Sequence, residues 1–155
     1  MTNKARSVLF PVDASENSQK AFDFYLDFLK YEGDELFLMH VFDTTQIKMG
    51  FGATLADAID IWRWKNKEEE DKAQDLMTHY KKLCEKHNLR KKVIIDVNQK
   101  PGEAIIKEAK KNAVTIIIMG SRGLNQFRRT FTGSVTDYVL HHSHIPVIVV
   151  PPTET

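Results

Sequence analysis

The chain has 155 residues, 42% hydrophobic and 28% charged, with 22 Lys+Arg against 21 Asp+Glu. That is ordinary composition for a single globular domain over residues 1–155, and it excludes wholesale disorder. The charge balance argues against a broad nucleic-acid surface, which needs clustered excess positive charge. No stretch nears the roughly 20 apolar residues of a membrane span. The opening MTNKARSVLF has no apolar run of signal-peptide length, and the one cysteine, Cys84, cannot close an internal disulfide. A cytoplasmic protein is expected, with a nuclear one as the alternative.

Ser7 to Val12 (SVLFPV) reads as a first strand, with Pro11 near its end because proline has no amide proton for a ladder. Ser15 can cap the helix that follows, whose apolar face is Ala21, Phe22, Tyr25, Leu26 and Leu29; Gly33 and Asp34 end that unit. Glu35 to Phe42 is nearly all apolar, as a strand covered on both faces should be. Residues 43–66 break the rhythm. They read as a long connection with one possible helical turn through Leu55, Ala58 and Ile59, followed by Trp62 and Trp64. Those two rings could cover a ligand, meet a partner or fold onto the body.

Lys67 to His87 carries an apolar stripe of Ala73, Leu76, Met77, Tyr80, Leu83 and Cys84 on an amphipathic helix. Its acidic run Glu68 to Asp71 suits the positive end of the helix dipole. Lys92 to Val97 is a third strand, Pro101-Gly102-Glu103 opens a helix to about Lys111, and Ala113 to Met119 is a fourth strand. After a glycine-rich loop, a helix runs from Ser134 to about His142, and Ile145 to Val150 closes the chain as a fifth strand.

Strands alternating with helices imply a parallel sheet with helices on both faces. The expected fold is α/β, a flavodoxin-like three-layer sandwich, five strands in the order 3-2-1-4-5. In such sheets ligands bind beyond the carboxyl ends of the strands where the chain reverses direction, between strands one and four. Asp13 and Gly120 stand at those two strand ends.

The segment between them is Met119-Gly120-Ser121-Arg122-Gly123, nine residues, then Gly133-Ser134. Glycines let backbone amides approach an anion closely and can take positive φ, and successive amides form an anion-binding concavity. Gly133-Ser134 starts a helix, whose unpaired amides and dipole make a second anion site. Two such sites suit a polyphosphate. There is no G-x-x-x-x-G-K-[ST], and Gly50-Phe51-Gly52 is a decoy because position 55 is Leu.

Gly120-x-x-Gly123-(nine residues)-Gly133-Ser134 matches the G-2x-G-9x-G-[ST] signature of the ATP-binding universal stress proteins, and the chain resembles that family nearly throughout. SVLFPVDASENSQKAF and ELFLMHV resemble its opening half; IIIMGSRG and TGSVTDYVLHHSHIPVIVVP resemble its closing half. The resemblance implies ATP, or ADP or AMP, bound with Mg²⁺. It implies Pro11, Val12 and Asp13 near adenine and ribose, and Val41 at the adenine. Met119, Gly120, Arg122, Gly123, Gly133, Ser134 and Val135 would line ribose and phosphates. One departure is Thr115, where the family often has an acidic residue.

Asp13 could meet a ribose or Mg²⁺, or simply assist Ser15 at the helix start. Arg128 and Arg129 are loop charges that could reach phosphate. His141, His142 and His144 have no carboxylate or cysteine beside them, so no metal site is expected, and His142 shares a helix face with Val135, Tyr138 and Val139. No nucleophile and base stand out, so no catalytic residue is assigned. The expected function is an ATP-binding stress-response or signalling module; a slow ATP hydrolase and a non-nucleotide interaction module are the alternatives. An apolar last strand at a sheet edge invites pairing, so a homodimer through Ile145 to Val150 is expected.

Overall fold

The computed structural model describes residues 5–43, 51–98, 100–121 and 133–152. Within them lie β1 (Ser7–Pro11), α1 (Glu16–Phe24) running on into a π-helical turn (Tyr25–Leu29), β2 (Glu35–Asp43), α2 (Leu55–Lys65) and α3 (Lys67–Lys86). They continue with β3 (Arg90–Asn98), α4 (Pro101–Lys111), β4 (Ile116–Gly120), α5 (Ser134–His142) and β5 (Val147–Val150). The five strands form one parallel sheet in the order β3-β2-β1-β4-β5, the flavodoxin-like arrangement expected from the alternation.

Strand alternation sorts the core into two layers. Val8, Phe10, Leu36, Leu38 and Ile118 face α1 and α3, where they meet Phe22, Tyr25, Met77, Tyr80 and Cys84. Leu9, Phe37, Met39, Ile117 and Met119 face the other way, against Ala104, Ile105, Ala109 and Val139 of α4 and α5. The rings of Phe10, Phe22, Tyr25 and Tyr80 meet at 5.2 to 6.1 Å in edge-on and tilted pairs, geometry favoured by their quadrupoles.

A buried carboxylate holds the α1–β2 connection. Asp34 accepts two bonds from Arg6 (2.9 and 2.7 Å), one from the Tyr25 hydroxyl (2.7 Å) and one from the Tyr31 amide (3.0 Å). Burial alone would raise its pKa; these four donors outweigh it and hold the carboxyl below the usual range. The Tyr25 phenol is driven well above its ordinary value by burial and by the Asp34 charge.

Several boundaries differ from expectation. The fourth strand starts at Ile116, because Ala113 takes φ 48° as the left-handed residue ending α4. Its amide bonds to Lys110 O and that of Val114 to Ala109 O, the paired bonds of a Schellman motif. Asn88 (φ 54°) ends α3 in the same way. The possible turn at Leu55 is an eleven-residue helix, begun by a capping box in which Thr54 and Asp57 each bond the other's backbone amide. The ring of Trp62 lies 5.0 Å from that of Phe42, so it folds onto the body, whereas Trp64 is 81% exposed. Thr115 precedes β4, and its hydroxyl accepts from Ser7 N (2.7 Å) and donates to Ser7 O (2.8 Å), which ties the starts of two central strands.

Candidate functional site

A cleft opens where the carboxyl ends of β1, β2 and β4 meet the first turns of α1, α4 and α5. All nine described members of the expected site line it: Pro11, Val12, Asp13, Val41, Met119, Gly120, Gly133, Ser134 and Val135. Arg122 and Gly123 lie outside the described residues, as do Arg128, Arg129 and Gly50.

The α5 side offers donors. Gly133 is the N-cap, and the first intrahelical bond runs from Asp137 N to Gly133 O at 2.9 Å. The Ser134, Val135 and Thr136 amides therefore have no partner within the helix, and they sit at its positive end beside the cleft. The Thr136 hydroxyl donates to Gly120 O (3.2 Å), which pins this helix start to the end of β4. That donor set fits an anion such as phosphate.

Opposite stands the start of α1. Asp13 Oδ1 accepts from the Ser15 amide (2.9 Å), so Asp13 has the helix-start role weighed against a ligand role. Ser15 caps the helix, its hydroxyl accepting from Ser18 N (3.2 Å). The Ser18 hydroxyl accepts from both Asp13 N and the Tyr80 phenol (3.2 Å each). Burial, with the carboxylates of Asp13 and Asp23 nearby, pushes the Tyr80 phenol up to about 12, so it stays a neutral donor beneath the site.

Two expectations need correction. Gly120 can take positive φ by its sequence, yet among the described glycines only Gly33 and Gly52 do; Gly133, the helix N-cap, has φ −57°. Gly120 is glycine for a packing reason: a Cβ there would collide with the Asn17 carbonyl, its carbon only 2.6 Å away. His142, expected to pack, is exposed; its ring stacks on Tyr138 at 4.0 Å while Nδ1 donates to Tyr138 O. Among the described residues no group of three His, Cys, Asp or Glu side chains could hold a metal ion.

Sequence reasoning misses His40, Met39, Ser18, Pro101, Ile105 and Thr136, which also line the cleft. Thr136 is within its reach, being the third residue of a helix whose start the glycine-serine pair marks. His40 sits beside Val41 at a strand end expected to meet the ligand. Pro101 and Ile105 arrive through the helix after β3, and only the strand order brings that helix here.

The fold has counterparts among known proteins. The Universal stress protein family model matches residues 4–151. The universal stress protein MJ0577 of Methanocaldococcus jannaschii is 34% identical, the match covering 94% of each chain. Its solved structure superposes with a TM-score of 0.79 over 97% of this chain and 99% of its own, at 30% identity. The universal stress protein UspA from Lactobacillus plantarum follows at TM-score 0.74 and 25% identity, covering 94% of this chain and 97% of its own. A universal stress protein family protein from Arabidopsis thaliana, solved with AMP bound, shares the fold at TM-score 0.65 and 20% identity, over 96% of this chain and 92% of its own. With its sheet order, its two-layer core and a family match over nearly all of its length, this chain belongs to the universal stress protein family.

Proposed function

We propose that this protein binds an adenine nucleotide, ATP with Mg²⁺ foremost, and acts as a nucleotide-dependent stress-response or signalling module in the cytoplasm. The observation that supports this reading is the cleft itself. Amides at the positive end of α5 stand on one side, and Asp13 and Val41 on the other. The amides of Ser134 and Val135 would receive phosphate oxygens, and Gly133 would let them approach. Pro11, Val12 and Val41 would hold the base, and Asp13 the ribose hydroxyls or Mg²⁺. Arg122 and Gly123 complete the phosphate loop on the strength of the glycine pattern alone. The AMP in the Arabidopsis relative is consistent with an adenine nucleotide in this fold.

Binding is favoured over hydrolysis for a specific reason. Asp13 and His40 are the titratable side chains among the described lining residues, and each already holds a structural hydrogen bond. In this reading neither serves as the general base that phosphoryl transfer to water needs. A second copy of the chain would pair along β5, which lies at a sheet edge.

Calorimetric titration with Mg-ATP tests the reading. Saturable binding without phosphate release over hours is expected, and no binding at millimolar ATP would sink it. Gly133→Val should abolish binding by driving a side chain into the phosphates; retained affinity would mean the site is misplaced. Sedimentation should report a dimer.

A further inference from the structure

We infer that His40 is a positioning residue for the nucleotide base: its side chain keeps the main-chain amide of Val41 out of the sheet and available to a ligand. This rests on the proposed nucleotide site and adds to it a residue that does not itself touch phosphate.

The β1–β2 ladder fixes which amides and carbonyls face one another. The strands pair in parallel from Ser7↔Glu35 to Pro11↔Met39, so Val12 comes level with His40. In a parallel ladder a residue donates to one residue of the neighbour and accepts from the residue two further along. Val12 makes the first of these bonds, its amide donating to Met39 O at 2.8 Å. Its carbonyl should then accept from the Val41 amide. It accepts instead from His40 Nδ1, at 2.9 Å. A carbonyl can only accept, so the imidazole carries a proton on Nδ1. No main-chain bond from Val41 to Val12 accompanies it among the described residues, and β1 ends at Pro11, one residue short of the expected Val12.

The consequence falls at the cleft. Amides alternate in direction along β2, so that of Val41, like that of Met39, points toward β1 and away from β3. Beyond the Val12 amide the first strand leaves the ladder, and Val41 lines the cleft there. A Val41 amide unclaimed by the ladder is a donor aimed where the base would lie. Aromatic packing holds the imidazole in place. Its ring sits edge-on to Phe42 at 4.9 Å, and Phe42 in turn meets Trp62 of α2 at 5.0 Å. The sheet would otherwise zip one residue further and hide the donor.

Two substitutions separate the role from simple packing. His40→Phe keeps a ring against Phe42 but removes the donor; His40→Asn places its Nδ2 where Nδ1 was. Affinity for Mg-ATP and for AMP is measured by calorimetry. Exchange of the Val41 amide in the ligand-free protein is followed by NMR. In His40→Phe, both nucleotides should lose roughly tenfold in affinity (~1.4 kcal/mol), because the loss is at the base and not the phosphates. Its Val41 amide should exchange at least about tenfold more slowly than in the wild type, having joined the ladder. His40→Asn should restore both readouts to near wild type. Unchanged Val41 exchange in His40→Phe, or undiminished affinity for both nucleotides, overturns the inference. If the wild type binds neither nucleotide, the proposed function falls, and Val41 exchange alone decides whether His40 holds that amide out of the sheet.

Discussion

Replacing Gly120 with alanine tests how tightly the end of β4 is set against α1. The new Cβ would lie 2.6 Å from the Asn17 carbonyl carbon and 3.1 Å from Ser18 N, and would also strike the Asn17 oxygen. Carbon atoms rest about 3.5–4.0 Å apart, so the first turn of α1 has to retreat by roughly 1 Å. These are backbone atoms of a capped helix turn, with no rotamer to swing aside. Overpacking of this kind costs about 1–3 kcal/mol, and the upper end applies when main chain must move. Stiffening of the unfolded chain by alanine returns about 0.5 kcal/mol. A net loss of about 2 kcal/mol lowers Tm by roughly 4–8 °C for a chain of this size. Gly102→Ala is the comparison: its Cβ would meet Tyr138 Cδ1, Cγ and Cβ at 2.6, 2.9 and 3.1 Å, a half-buried side chain rather than main chain. Alanine in a helix also gains up to about 1 kcal/mol over glycine. Thermal unfolding followed by circular dichroism should show Gly120→Ala losing at least twice as much Tm as Gly102→Ala. Equal shifts, or a Gly120→Ala protein within about 2 °C of the wild type, would refute the claim that packing dictates this glycine.

The remaining predictions concern buried groups away from the cleft. Asp34→Asn should cost about 2 kcal/mol; a fully buried pair would lose more, but the Arg6 side chain keeps 32% exposure. Because the Asp34 pKa is lowered in the folded state, the unfolded chain takes up the proton first as the pH falls. Denaturant midpoints should therefore hold above about pH 5 and fall through the carboxylate range below it, with a shallower fall in Asp34→Asn. An equally steep fall in both proteins would remove Asp34 from the account. Burial pushes the Cys84 thiol up to about 11, so a thiol reagent at pH 8 should fail to label the native protein and label it promptly in denaturant. Rapid native labelling would contradict the burial.

Much of the fold is legible because its signals are periodic. The apolar runs at Val8–Phe10, Leu36–Met39 and Ile117–Met119 belong to strands covered on both faces, and the stripe from Ala73 to Cys84 could serve only one face of a helix. Alternation of the two patterns implies parallel pairing, and right-handed crossovers narrow the strand order. Where local chemistry overrides periodicity, sequence and structure part. Ala113 is apolar beside an apolar strand, yet it closes a helix in the left-handed region. The segment from Leu55 to Lys65 reads as a connection with one possible helical turn, although Leu55, Ala58, Ile59 and Trp62 recur at helical spacing; the Thr54–Asp57 capping box starts a helix that runs on to Lys65.

The candidate site divides in the same way. The sequence by itself determined where a glycine-punctuated strand end and a helix start stand, and that Asp13 follows one strand and Val41 lies near the end of the next, because those properties belong to short stretches of chain. Only the tertiary structure decided what those residues face. Gly120 must lack a side chain because α1, more than a hundred residues earlier in the chain, presses its backbone there. His40 matters because a parallel register brings it level with Val12, whose carbonyl it takes from the ladder. Both are contacts between distant segments, set by sheet pairing and helix packing, and no local pattern encodes them.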